Sequence, residues 1–181
     1  MSLKTYLYKD AFTGDEMFAV CYPMEEVDDI AYLVEGKYVT INPDGENIDV
    51  GCGNAFSGEE AEAPIQEGAQ SVINLIHSHR LVQVGYTKAD FLEYVKKYME
   101  KNPARVRPFM QAAEPFVKKL LKNFNEFDFY MGESMDLEAS LAMMFYKEDG
   151  ITPMFYFFKD GLVLSYPGFG KSLDHPVGIA K

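Results

Sequence analysis

A chain of 181 residues that is 48% apolar and 14% aromatic can bury one domain-sized core, and that content excludes disorder of the whole chain. A formal net charge of −11 excludes nucleic-acid binding by the chain as a whole through phosphate neutralisation, and no run of about 18 apolar residues offers a bilayer span. Only Cys21 and Cys52 are present. Without a CxxC they cannot build a four-ligand zinc site alone, and they are expected as free thiols, one disulfide being the other option. The start, MSLKTYLYKD, meets Lys and Asp before a signal-peptide core could form, so the expected compartment is the cytoplasm.

Residues 3–8 and 18–22 are expected to be strands from their aromatic and β-branched content, and residues 30–41, with Glu-Gly-Lys in the middle, carry a hairpin signal. From 42 to 70 the character changes to seven acidic residues, no Lys or Arg, five glycines and two prolines, which predicts a long mobile acidic loop. Residues 71–85 are expected to be extended again, placing His77 and His79 on one face. Thr87 with Asp90 three residues on resembles a capping box, and Phe91, Val95 and Tyr98 follow at helical spacing. Asn102 and Pro103 then open a second helix whose stripe is Val106, Met110, Ala113, Val117, Leu120 and Phe124, with Pro108 and Pro115 bending it or delaying its start. Residues 87–124 are therefore a helical hairpin. Across 86–124 nine Lys or Arg face four Asp or Glu, so a basic projection stands out from an acidic body.

After Phe124 the pattern predicts strands at 127–131, about 139–146, 152–158 and 162–166, with hairpin turns at Asp149-Gly150 and Asp160-Gly161. The expected fold class is α+β, mainly β: antiparallel sheets with an inserted helical hairpin, in one domain over 1–181, ending in an irregular Gly/Pro-rich tail at 167–181. Within YMGESMD, Glu133 reads as a turn tip, an acid or base, a metal ligand or a partner contact.

Residues 123–162, NFNEFDFYMGESMDLEASLAMMFYKEDGITPMFYFFKDGL, resemble the C-terminal signature block of the translationally controlled tumour protein family. YKDAFTGDEMF (8–18) resembles the family's N-terminal element, and GNAFSGEEAE (53–62) its first signature, with Gly53, Asn54, Ser57, Glu59 and Glu60 as signature-loop residues. YTKADFLEYVKKYM and ARVRPFM also match. The resemblance implies a β-tent of two sheets meeting at an angle, a fold shared with methionine-R-sulfoxide reductases and a Rab-GTPase exchange chaperone. It implies a non-enzymatic, multifunctional cytosolic binding protein linked to growth control and cell survival. The implied partners are a Rheb-type small GTPase, tubulin and anti-apoptotic Bcl-family proteins, with calcium binding and export without a signal peptide. Only EKNPA separates the two helical motifs, so the hairpin is shorter than in many members by about two turns. Tubulin and Bcl-family contacts are placed on that hairpin in the family, and its shortening weakens their carry-over.

Among single residues, Glu16 matches the family glutamate implicated in GTPase interaction, where an acid can pair with a switch-region Lys or Arg. Glu133, a signature feature at the rim of the tent, and Asp149 are grouped with it as partner-binding residues. His77 and His79 could ligate a metal together, but no third ligand stands at convincing spacing, and buried, hydrogen-bonded histidines are the commoner outcome. No cofactor is required. Calcium would bind weakly, through loose carboxylates of the acidic loop, since no EF-hand loop exists. The alternatives are a calcium-buffering or chaperone-like protein acting through that loop and a metal- or cysteine-dependent enzyme on the same fold. No GxSxG, HExxH or similar framework supports the latter.

Overall fold

A computed structural model describes residues 6–43, 67–101 and 106–166, the side chains of 106–110 and 112 excepted. In chain order the elements are β1 (Leu7–Asp10), β2 (Glu16–Ala19), β3 (Met24–Val27), β4 (Ala31–Glu35), β5 (Tyr38–Ile41), β6 (Gln70–Ile73), α1 (Asn74–Ser78), β7 (Val82–Val84), α2 (Lys88–Lys101), α3 (Val106–Lys122), β8 (Asp128–Met131), β9 (Leu141–Tyr146), β10 (Pro153–Phe158) and β11 (Leu162–Ser165). They form a six-stranded sheet in the order β3-β4-β10-β9-β8-β7, a three-stranded sheet β11-β1-β2 and a two-stranded ribbon β5-β6. Every ladder is antiparallel. The mainly β, α+β expectation holds. The acidic loop expected over 42–70 lies outside the described residues from 44 to 66, as does the tail over 167–181.

The centre of the six-stranded sheet is buried on both faces, and β10 shows why. All six of its residues are buried, and they alternate between two cores. Tyr156 and Phe158 enter the core beneath the helices, while Phe155 and Phe157 enter the core facing the three-stranded sheet. The neighbouring β9 repeats this period of two, with Leu141 and Met143 under the helices and Ala142 and Met144 on the other side. Each large apolar side chain buried in this way stabilises the fold by about 1.5–3 kcal/mol.

The helices close the first core as their sequence requires. Thr87 and Asp90 form the capping box: the Thr87 amide donates to Asp90 at 3.0 Å and the Asp90 amide to the Thr87 hydroxyl oxygen at 3.2 Å. Phe91, Val95 and Tyr98 are buried beneath α2, and Ala113, Val117, Leu120 and Phe124 continue the apolar stripe of the second helix. Pro115 lies inside α3, where its missing N–H leaves the carbonyl of residue 111 without its helical donor.

Two expected hairpins and one expected strand are corrected. β4 and β5 do not pair with each other: β4 lies between β3 and β10, and β5 pairs with β6. Gly36 is where the chain leaves one sheet for another, and its amide donates to the Pro153 carbonyl at 2.8 Å. A Cβ there would come within 3.0 Å of the Phe155 ring, so glycine answers a close approach and not a two-residue turn. At Asp160-Gly161 a 3-10 turn redirects the chain from β10 to β11, which pairs with β1. Residues 74–78, expected to be extended, form α1, because the Asn74 side-chain oxygen accepts the amides of Lys37 at 2.9 Å and Leu75 at 2.8 Å and starts a helical turn. The first two strands are also displaced, to Leu7–Asp10 and Glu16–Ala19, where a turn at Gly14 sets their register. No helix among the described residues is long and apolar enough to cross a membrane.

Candidate functional site

The loop between β1 and β2 begins at Asp10, whose side chain is 1% exposed. A carboxylate tolerates such burial only when its oxygens are satisfied. One oxygen accepts the Phe12 amide at 3.1 Å, the Thr13 amide at 2.7 Å and the Thr13 hydroxyl at 2.8 Å, and the other accepts the Ser140 amide at 2.9 Å. Gly14, with φ +79°, turns the chain back and donates its amide to the Asp10 carbonyl. Asp15 and Glu16 emerge at the mouth of this loop, and Glu16 pairs across the hairpin with Lys9 at 3.2 Å.

Asp15 reaches the other way. Its carboxylate accepts the Ser134 amide at 3.0 Å and the Ser134 hydroxyl, fastening the GDE loop to the GES turn 119 residues along the chain. The turn closes with the Met135 amide donating to the Gly132 carbonyl at 3.0 Å. A methyl group on Gly132 would run into the Asp15 side chain, so glycine permits the clasp. Gly132→Ala is therefore expected to lower stability by about 1–2 kcal/mol and to displace the Ser134 and Glu16 amide resonances together, as read by urea unfolding and by two-dimensional NMR. Unmoved Ser134 resonances would show that the clasp does not need the glycine.

Glu133 stands at the tip of the turn and pairs with Arg80 at 3.0 Å. Both side chains are mostly exposed, so the pair stabilises the fold by no more than about 1 kcal/mol. Arg80 is presented by the end of α1, where the Leu81 amide donates to the Ile76 carbonyl at 3.0 Å and the Arg80 amide to the His77 carbonyl at 3.3 Å. These two bonds, with Arg80 at φ +52°, make a Schellman motif with arginine in the place that glycine usually takes. Ile76 and Leu81 pack in the second core and complete it.

His79 precedes Arg80 and is 8% exposed. Neither ring nitrogen has a hydrogen-bond partner among the described residues, and the ring meets Tyr22 edge-on with centroids 5.8 Å apart. Burial pushes the imidazole down to about 4, against a smaller upward pull from the Glu16 carboxylate, so it is neutral at pH 7. Around it lies a polar cleft of about 370 Å³ lined by Lys9, Asp15, Glu16, Ser78, His79, Arg80 and Glu133. Three carboxylates there outnumber two cations.

The structure thus brings Glu16 and Glu133 together on one rim. It does not bring Asp149 to them. Asp149 lies in the β9–β10 turn, at the opposite end of β9 from the GES turn, because Met131 pairs with Leu141 and Tyr146 with Pro153. Its carboxylate accepts the amides of Ile151 at 2.8 Å and Thr152 at 2.9 Å and the Thr152 hydroxyl, and that hydroxyl, followed by the two amides, holds it down to about 2. Gly53, Asn54, Ser57, Glu59 and Glu60 lie outside the described residues. His77 is exposed while His79 is buried, since residues two apart on a helix diverge by roughly 200°. Among the described residues no group of three or more His, Cys, Asp or Glu is placed to hold a metal ion. Asp15 and Arg80 were not singled out by the sequence, and the adjacency of Asp15 to Glu16 was the available signal. Cys21 is half-buried against the second core and disulfide-bonded, which corrects the expectation of a free thiol there; Cys52 lies outside the described residues.

The model of the family described as translationally controlled tumour protein matches residues 5–163, which include every helix above and every strand but the second half of β11. The chain belongs to this family. It is 45% identical to the translationally controlled tumour protein homologue of Schizosaccharomyces pombe over 165 residues, covering 87% of this chain and 96% of that protein. The Saccharomyces cerevisiae homologue is 39% identical over the same shares of both chains. Among solved structures, that of the S. pombe family protein p23fyp superposes with a TM-score of 0.69 at 43% identity, covering 88% of this chain and 98% of that one. The solution structure of the family member from Caenorhabditis elegans gives 0.58 at 25% identity, covering 88% and 97%.

Proposed function

We propose that this family member is a non-enzymatic binding protein that engages a Rheb-type small GTPase through the rim carrying Glu16 and Glu133. The observation that carries the reading is the Asp15–Ser134 clasp, which joins two loops distant in sequence and presents both carboxylates beside one cleft. Their partners in the fold, Lys9 and Arg80, hold them only through ion pairs near the surface, so both acids are available to a basic partner surface at small cost. Family resemblance supports a cytoplasmic protein of growth control and survival, with weak calcium binding through the acidic loop and export without a signal peptide; the short hairpin leaves tubulin binding without the surface that carries it in the family.

Titration of a fluorescently labelled, GDP-loaded Rheb-type GTPase with wild type and Glu16→Ala tests the reading. Saturable binding by wild type, weakened about tenfold in the variant, is expected from the loss of one ion pair at an interface. Equal binding by the two proteins, or binding by neither, removes it.

A further inference from the structure

The reading above leaves His79 unexplained. A histidine that only fills a core donates and accepts through its nitrogens, yet here both are buried and without a partner among the described residues, and the residue borders a polar cleft. A neutral imidazole can accept a hydrogen bond at one nitrogen, so the unmet need can be answered by a donor entering the cleft. The rim above supplies Glu16 and Glu133, and the net charge of the lining side chains is negative, so the donor is a cation and not an anion. Lys9, Glu16, Arg80 and Glu133 are long, at least partly exposed side chains held by two ion pairs, and they can swing aside to admit it.

We propose that the cleft is an arginine-recognition site: a guanidinium from a partner protein inserts between Glu16 and Glu133, displacing Arg80 from Glu133, and donates to the His79 ring. Arginine fits better than lysine, because a planar fork of five N–H donors can span two carboxylates and still offer one donor to the floor, whereas an ammonium is a compact point charge. Arg80 itself shows the geometry the rim accepts, one guanidinium nitrogen on a Glu133 oxygen at 3.0 Å. This proposal rests on the reading of the rim as a partner-binding face and names the chemistry of what enters it.

The test uses a capped Gly-Arg-Gly tripeptide, its citrulline counterpart, which keeps the shape without the charge, and its lysine counterpart. Each is titrated into the intact protein while the His79 ring nitrogens and the backbone amides are followed by NMR. The arginine peptide is expected to shift the Ser78, His79 and Glu133 signals saturably, with the unprotonated ring nitrogen moving upfield as it accepts a hydrogen bond. Citrulline should produce no saturable shift, and lysine a several-fold weaker one. Glu133→Gln and His79→Phe should each weaken the arginine response about tenfold or more, and His79→Gln, which restores an acceptor oxygen, should recover part of it. Equal responses to arginine and citrulline, or an arginine response untouched by Glu133→Gln, overturns the proposal. GTPase binding that depends on Glu16 without any arginine response would sink this inference alone, and an arginine response without GTPase binding would sink the GTPase reading alone.

Discussion

Asp10→Ala is expected to lower the free energy of unfolding by about 3–5 kcal/mol, enough to unfold a protein of ordinary stability or nearly so. The carboxylate is nearly inaccessible and accepts three backbone amides and a hydroxyl. Its removal strands the Ser140 amide, which is buried, and frees the 11–15 loop that leads into Asp15 and Glu16. Leaving buried donors unmet costs more than the hydrogen bonds themselves contribute. Urea unfolding followed by circular dichroism measures the effect as a lower midpoint with an unchanged slope. Asp10→Asn retains an acceptor and should lie between the two. A loss below about 1 kcal/mol for Asp10→Ala would mean that the loop is held by its backbone bonds alone.

The second large effect is a loss of stability in mild acid, traced to His79. Burial holds the folded imidazole down to about 4, against 6.5 for a free side chain. The unfolded chain therefore binds the proton more tightly than the folded one between those two values. Stability is full above pH 6.5, falls as the pH falls, and reaches its floor below pH 4. At pH 4.5 the loss should be about 2.5 kcal/mol, with a limiting slope of about 1.4 kcal/mol per pH unit. Because several carboxylates begin to titrate in the same range, the informative measurement is the difference between wild type and His79→Gln. The variant, with nothing to protonate there, should show a flatter curve between pH 4.5 and 6.5. Parallel curves would show that the folded imidazole accepts its proton freely.

The parts of the fold that sequence made legible are those governed by local chemistry. The Thr87–Asp90 box marks the start of α2 because a hydroxyl and a carboxylate three residues apart satisfy helix-end amides wherever they occur. The strands β9 and β10 were readable as continuous apolar runs because burial on both faces leaves almost only apolar residues. What failed was the choice of partner strand. A glycine at 36 or 161 reports that the backbone must turn or approach something closely, and it carries no information about which strand lies alongside afterwards. Gly161 makes room for the Tyr98 ring, which comes from a helix more than fifty residues earlier. The α1 turn was missed because its closing motif carries Arg80 where the pattern calls for glycine. Of the candidate site, Glu16 was visible through its family match. The clasp that joins it to Glu133 was not, because Asp15 next to an acidic neighbour looks like any exposed loop residue until the GES turn is folded beside it.

The three-stranded sheet has a consequence for how the chain is made. Its central strand β1 pairs with β11, so Leu7 finds Ser165 and Asp10 finds Leu162, and the clasp waits on Ser134. The hairpin bearing Glu16 is made before every other described element, yet it lacks its edge strand until almost the last described residue has emerged. Pairings of such long sequence separation form late and slowly. Through most of synthesis the six-stranded sheet can assemble only in part, with Met17 and Phe18 still in water. The rim carrying Glu16 and Glu133 is thus among the last described features to mature, and a nascent chain cannot present it before β11 is in place.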